Sequence, residues 1–274
     1  RLARQLTESV QGTLAYSGFD AESEYDDGHI ESESRQFNAR LDYQLSPVLC
    51  GWVSLEGFDE LNHNFGSFGT TVSDTETRTL RWQNDLALSP GRVLSVGLDT
   101  QQQELDYATF GAAQSDDSRD NDGIYGIFLM QGNRTDLELS LRADDNERFG
   151  SHETGNLALG WQLGDSTRLR AGLGTAFKAP NLIDLYVDFP DFFFFANPEL
   201  QPERSASVEV GVETRLLDTA VSLNIFRTRI RDLIGSDETF TSLANIDEAR
   251  INGLELLVSR RLADWDLSAS LTLL

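Results

Sequence analysis

The chain has little of what most function classes require. A single cysteine, Cys50, cannot form an internal disulfide, and reads as a buried or wall position rather than a redox centre. The three histidines, His29, His63 and His152, stand in separate segments, each expected in a loop or at a loop edge, at spacings that fit no metal motif. No G-x-S-x-G elbow, phosphate-cradling glycine loop or C-x-x-C pair occurs, so no catalytic residue is assigned and no enzymatic activity is expected. Cations are scarce: 22 Lys and Arg stand against 45 Asp and Glu, for a net charge of -23, which opposes the basic stripe that a nucleic-acid partner needs. No apolar run approaches the ~18 residues of a membrane helix.

That last absence leaves one kind of membrane protein open. A spanning β-barrel meets lipid with every second residue, so its mean hydropathy stays low, here -0.33, and its signal lies in alternation. Alternation runs through the whole chain. Val10, Gly12, Leu14 and Tyr16 oppose Gln11, Thr13, Ala15 and Ser17; Phe37, Ala39, Leu41 and Tyr43 oppose Gln36, Asn38, Arg40 and Asp42. The last segment is clearest, with Trp265, Leu267, Ala269, Leu271 and Leu273 against Asp266, Ser268, Ser270 and Thr272. Tight turns are predicted at Ser46-Pro47, Ser89-Pro-Gly91, Gly132-Asn133, Gly164-Asp165 and Leu217-Asp218. Longer loops are predicted on the other side, at Asp20 to Glu33, Asn64 to Ser73, before Gly123, and around Asp144 to Glu147. About thirteen strands are expected, and short turns opposite long loops make an all-β, up-and-down arrangement. A soluble sandwich would share the period of two; long strands, strict hairpins and Tyr16, Tyr43, Trp161 and Trp265 near strand ends favour the barrel.

Four of the six prolines fall between Lys178 and Glu203, a segment expected to be irregular until a new strand begins near Ser205. It carries Phe189 and the run Phe192, Phe193, Phe194 and Phe195, rings that are costly to leave in water and that must pack, fold into a barrel mouth, or meet a ligand. A second cluster, Asp20-Ala-Glu-Ser-Glu-Tyr-Asp-Asp27, gathers carboxylates without an EF-hand pattern. It reads either as a solvated loop tip or as a calcium site, with Asp20, Asp26 and Asp27 as the candidate ligands.

Five motifs stand in order from Gly174: Gly174-Thr-Ala-Phe-Lys-Ala-Pro180, Asp184-Leu-Tyr186, Asn197-Pro-Glu-Leu-Gln-Pro-Glu-Arg-Ser205, Arg229-Ile-Arg-Asp-Leu-Ile234 and Ala249-Arg-Ile-Asn-Gly-Leu-Glu255. With Arg142-Ala-Asp-Asp-Asn-Glu-Arg-Phe-Gly150 upstream, they resemble the barrel of TonB-dependent outer-membrane receptors, and within them the cobalamin transporters. The likeness is strong from about Gly123 to Glu255, and Arg229 departs from it, standing where the family often has Asn.

The resemblance implies part of a large antiparallel transmembrane barrel, of about 22 strands in the family. Residues 1–274 would then be a partial barrel domain, with strands missing at both ends and the N-terminal plug absent. It implies active uptake of a large, scarce ligand, cobalamin, across the outer membrane of a Gram-negative bacterium. The driving partner would be a TonB-type energy-coupling protein acting through the missing plug. Membrane lipid is the second expected partner, and extracellular-loop contacts from Tyr186 and Phe192 to Phe195 would hold the ligand. Cobalamin-type receptors also order an acidic loop near this point with calcium, which would fall on Asp20, Asp26 and Asp27. A ferric siderophore receptor of the same fold is the alternative, and a passive porin or structural β-barrel is the reading from another class.

Overall fold

Side chains that alternate between apolar and polar over ten or more residues satisfy two environments at once only as strands, and strands of that length need neighbours for their backbone groups. The chain solves this with one ladder. In the computed structural model, which describes residues 1–67, 69–110, 112–189 and 193–274, with residues 112–114 and 116 as backbone only, fourteen antiparallel strands pair strictly in sequence order. They are β1 (Leu2–Thr7), β2 (Val10–Tyr25), β3 (Gly28–Ser46), β4 (Leu49–Gly66), β5 (Gly69–Ser89), β6 (Arg92–Thr109) and β7 (Ala112–Gln131). Then follow β8 (Thr135–Asn146), β9 (Gly150–Gln162), β10 (Thr167–Lys178), β11 (Glu203–Leu216), β12 (Thr219–Ser236), β13 (Leu243–Leu262) and β14 (Trp265–Leu273). A five-residue helix, α1 (Leu182–Tyr186), lies between β10 and β11. The strands number one more than expected. The addition is β1, whose Leu2↔Leu14 and Arg4↔Gly12 pairing on β2 lies ahead of the first alternating segment recognised in the sequence.

The short turns fall where predicted, and the loops opposite them do not. Asp20 to Glu33, expected as an acidic loop, is the continuation of β2 and β3, paired through Asp20↔Glu33 and Glu22↔Glu31 to Tyr25↔Gly28, with only Asp26 and Asp27 in the turn. Likewise β4 and β5 pair up to Gly66↔Gly69 across the expected Asn64 to Ser73 loop, and β6 and β7 pair up to Thr109↔Ala112. Asp144 and Asp145 belong to β8. Once the backbone is committed to a ladder, a polar stretch with period two costs nothing to continue, and it satisfies its own amides by pairing. The strands are long as a result: β5 has 21 residues, roughly 70 Å at about 3.4 Å per residue, while a tilted strand crosses a bilayer in about 9–11 residues. The asymmetry between the two rims is one of strand length, and we term the short-turn end the lower rim and the other the upper rim.

One face of the sheet carries the apolar rows, and cross-strand register keeps them together: Leu41↔Val53, Leu55↔Leu80, Trp82↔Leu98, Leu173↔Val208, Val210↔Ile225 and Leu256↔Leu271. These side chains stay exposed, with Val210 at 57% and Leu173 at 53%, so the apolar face is a surface, not a core. Trp161 and Trp265 mark its lower edge and Tyr16 lies towards its upper one, the placing of aromatic girdles. The opposite face is polar and ion-paired. β1 and β14 are not paired with each other among the described residues.

Candidate functional site

The segment between β10 and β11 is where a core exists at all. Pro180 ends β10, and α1 turns Leu182 and Leu185 inward, where Leu182 and Val187 pack with Leu105 and Tyr107 of β6. Leu105 and Tyr107 share the polar face with Asp99, so the segment folds over the inner, polar side of the ladder and covers the upper parts of β6 and β7. Phe189 meets the Tyr107 ring edge-on at 5.8 Å. Burial of Leu185, Val187 and Leu200 to 1% exposure is worth roughly 1.5–3 kcal/mol per side chain, enough to order a proline-rich segment that has almost no ladder of its own.

Polar contacts fix its two ends, between motif residues and partners outside the motifs. Arg119 of β7, buried, donates to the Pro180 carbonyl at 2.8 Å and to Gln103 Oε1 at 2.7 Å. Asn197 donates its amide to the Asp184 carbonyl (2.9 Å) and its side-chain nitrogen to the Leu243 carbonyl (2.8 Å). Its own Oδ1 accepts the Glu199 amide at 2.9 Å. Asn245 accepts the Gln201 amide (2.8 Å) and donates back to the Gln201 carbonyl (2.8 Å), and the Glu203 carboxylate accepts the Ile234 amide (2.9 Å). Asp184 is half-buried beside this network, and that desolvation raises its carboxyl above the usual range against hydrogen bonds from Asn181. In the last motif, Gly253 has a different reason to be glycine: the Phe226 ring lies over it, and a Cβ would sit 2.3 Å from that ring.

The predicted ligand contacts divide. Tyr186 is half-buried against the small core, its hydroxyl accepts from Arg148 Nη1 at 2.5 Å, and the Arg148 guanidinium lies 5.2 Å from its ring centroid while also donating to the Pro198 carbonyl. Phe194 is partly buried and exchanges backbone hydrogen bonds with Phe189 (2.7 and 3.1 Å). Phe193, at φ 51° and 73% exposure, and Phe195, at 45%, are exposed at the upper rim. Phe192 and Pro190 lie outside the described residues. The backbone of Phe195 bridges to the β12–β13 turn, with its amide on the Thr241 carbonyl at 2.8 Å, and that turn presents Phe240 at 77% exposure and φ 58°. The turn is held by Asp237, whose carboxylate accepts from Thr239 Oγ1 (2.7 Å) and the Thr241 amide (2.9 Å), which lowers its pKa. Phe240, Arg119 and Arg148 were missed from sequence because each acquires its role from a partner at least 38 residues away or from a neighbouring turn.

The acidic and histidine candidates do not assemble. Asp20 of β2 reaches across to Arg35 Nη1 of β3 at 2.5 Å, and Asp26 and Asp27 lie beyond it in the turn. Among the described residues no group of three or more His, Cys, Asp and Glu side chains is placed to hold a metal ion, so the three aspartates do not fit a calcium site in this arrangement. The histidines are in strands, not loops. His29 stacks on Phe65 at 4.7 Å, with His63 tilted to the same ring at 6.1 Å, and His152 stacks on Phe177 at 3.8 Å. Cys50 is a free thiol in β4.

Below the covered mouth, the polar face forms an open concavity of about 650 Å³ whose lining includes Trp52, Arg81, Asp99, Gln101, Tyr125 and Arg142. Arg142 bridges Asp99 (2.7 and 2.8 Å) and Asp144 (2.7 Å), Arg168 reaches Asp136 (2.6 Å), and Arg81 reaches Glu56 (3.2 Å). Opposed charges on neighbouring strands line this wall, which suits a wet interior and no hydrophobic core. The wall offers charged and amide side chains, Arg142, Asp99 and Gln101 among them, to whatever occupies the concavity.

Comparison with known proteins agrees with this architecture. Residues 3–274 match the family model described as TonB dependent receptor-like, beta-barrel. The chain is 33% identical over 262 residues to the vitamin B12 transporter BtuB of Photobacterium profundum and 30% identical over 258 residues to that of Vibrio vulnificus, covering 89% and 92% of this chain. It spans about two fifths of those curated relatives' length, 41% and 40%. The siderophore receptor PirA from Pseudomonas aeruginosa has a similar fold, with a TM-score of 0.65, 22% identity, and coverage of 98% of this chain and 60% of that one. A ladder of hairpins with an apolar outer face, a charged inner face and an inward-folded segment at one rim is thus matched across nearly its full length, and the chain belongs to the TonB-dependent receptor-like β-barrel family.

Proposed function

We propose that this chain is barrel wall from an outer-membrane receptor that takes up cobalamin with energy supplied by a TonB-type partner. The observation that carries the reading is the likeness to two vitamin B12 transporters across about nine tenths of the chain. In this reading the upper rim is extracellular, the apolar face meets lipid, and the edges of β1 and β14 are paired by strands outside these residues, because open edges are not viable in a bilayer. The plug and its coupling segment would also lie outside them. Free energy for transport comes from the coupling partner; the residues described here bind, orient and enclose. Phe193, Phe195 and Phe240 offer an exposed aromatic surface at the rim, and the charged inner wall offers polar contacts below.

The fold of the siderophore receptor supports a second reading, a ferric siderophore as cargo. Side-by-side binding of cobalamin and a ferric siderophore to the full-length receptor decides between them, and binding of neither removes both. Phe193→Ser with Phe240→Ser is expected to weaken binding of the bound cargo at least tenfold while leaving membrane assembly intact; unchanged affinity returns these rings to packing.

A further inference from the structure

On β11, β12 and β13 the apolar rows give way to a band of arginines, beyond which Leu233 and Ile246 pair on β12 and β13. Ascending β12, the outward positions read Val221, Leu223 and Ile225, then Arg227, Arg229 and Arg231. Register brings their neighbours into the same rows: Ile225 stands between Val210 and Leu254, Arg229 is opposite Arg250 on β13, and Arg231 is opposite Arg204 on β11. Five of the 22 cationic residues of a chain with net charge -23 therefore share one outward patch. With strands about 4.8 Å apart and rows about 6.7 Å apart, the patch spans roughly 10 by 13 Å.

One carboxylate, Glu248, faces the patch, and it is held by Arg229 and Arg250 together. Glu248 also stands opposite Arg231 in the register, but among the described residues Arg204, Arg227 and Arg231 make no ion pair with a carboxylate, and all three are exposed. Elsewhere on the same face, above the apolar rows, each arginine is matched by acids: Arg35 by Asp20 and Glu33, Arg78 by Asp59 and Glu76. The excess positive charge is thus confined to one sector. From Thr219 to Arg227, β12 supplies about the 9–11 residues that a tilted strand needs to cross hydrocarbon, so the patch begins at headgroup height.

We infer that this patch binds the phosphate-bearing headgroup of an outer-leaflet lipid, resting on the outer-membrane reading above. Guanidinium forks recognise phosphate in a bidentate way, and the apolar rows directly below give acyl chains a surface, so one amphipathic molecule meets both halves. A free anion would use only the upper half.

The test uses the purified full-length receptor and native mass spectrometry with two probes, a bisphosphorylated disaccharide lipid and the same lipid with its phosphates removed. Wild type is expected to retain the phosphorylated lipid at least tenfold more tightly. The triple substitution Arg204→Gln, Arg227→Gln, Arg231→Gln is expected to abolish that preference, and Arg260→Gln, on the same face near the lower rim, to leave it unchanged. Should the triple variant fail to assemble, Arg227→Gln and Arg231→Gln singly are each expected to lower the preference about threefold. A preference that survives these substitutions, one lost equally in Arg260→Gln, or full displacement of the lipid by millimolar inorganic phosphate overturns the inference. Failure of cobalamin binding leaves it standing, whereas absence of the receptor from the outer-membrane fraction overturns it together with the membrane reading.

Discussion

Arg119 is the single side chain whose removal tests how the mouth segment is held. Its guanidinium makes two hydrogen bonds, 2.8 Å to the Pro180 carbonyl and 2.7 Å to Gln103, in a site where the residue is 8% exposed. Hydrogen bonds to a charged group are worth about 1.5–3 kcal/mol each. Arg119→Met removes both and strands a buried carbonyl, while relieving the desolvation of the charge, so about 3 kcal/mol is expected. The segment also retains Leu182, Leu185, Val187 and Leu200, which together outweigh that loss and keep it docked most of the time. The consequence is local opening and not unfolding. Peptides spanning 179–202, read by hydrogen-exchange mass spectrometry, are expected to exchange about 100-fold faster, since about 1.4 kcal/mol is a factor of ten. The reporters are the amides of Val187, bonded to Ile183 at 3.0 Å, and Asn197, bonded to Asp184 at 2.9 Å. Strand peptides from β5 and β6 below Leu98 should not change. Leu185→Ala, which opens a cavity, should cost about 2–5 kcal/mol and accelerate exchange at least as much. If Arg119→Met leaves the segment's exchange within twofold of wild type, the anchor is misassigned; if it destabilises the whole ladder equally, the segment is not a separate unit.

Facing can be read from two adjacent positions: Leu271, opposite Leu256 on the apolar face, is expected to lose roughly 2–4 kcal/mol of membrane stability as Leu271→Arg if it lies at the midplane, while Ser270→Arg, pointing to the polar face, assembles normally. Equal assembly of the two variants refutes the orientation. The β12–β13 turn should be pH-dependent. The Asp237 carboxyl is depressed by hydrogen bonds from Thr239, Thr241 and Ser242, so its contribution is fully present above the unfolded carboxylate value of about 3.9 and is lost as pH falls through the lower folded value. Faster exchange of the Thr241 amide in acid, abolished in Asp237→Ala, checks this, and a turn that tightens in acid contradicts it.

What the sequence determined by itself is the local grammar. Period-two alternation made the strands and oriented each face, and Ser46-Pro47, Ser89-Pro-Gly91 and Leu217-Asp218 placed the short turns, because these signals involve neighbours along the chain. The motifs from Gly174 to Glu255 carried the family, and Asn197 and Glu203 within them prove to be hydrogen-bonding anchors. The extent of the upper strands was not legible: Asp20 to Glu33 has loop composition, and only its pairing between the rest of β2, β3 and β4 makes it ladder. Nor was the inward docking of α1 on Leu105 and Tyr107, contacts between residues more than 70 positions apart. The arginine patch is the plainest case. Arg204, Arg227, Arg231 and Arg250 lie scattered over 47 residues, and only the register of three strands sets them side by side on one face, since a shift of one residue would turn each of them inward.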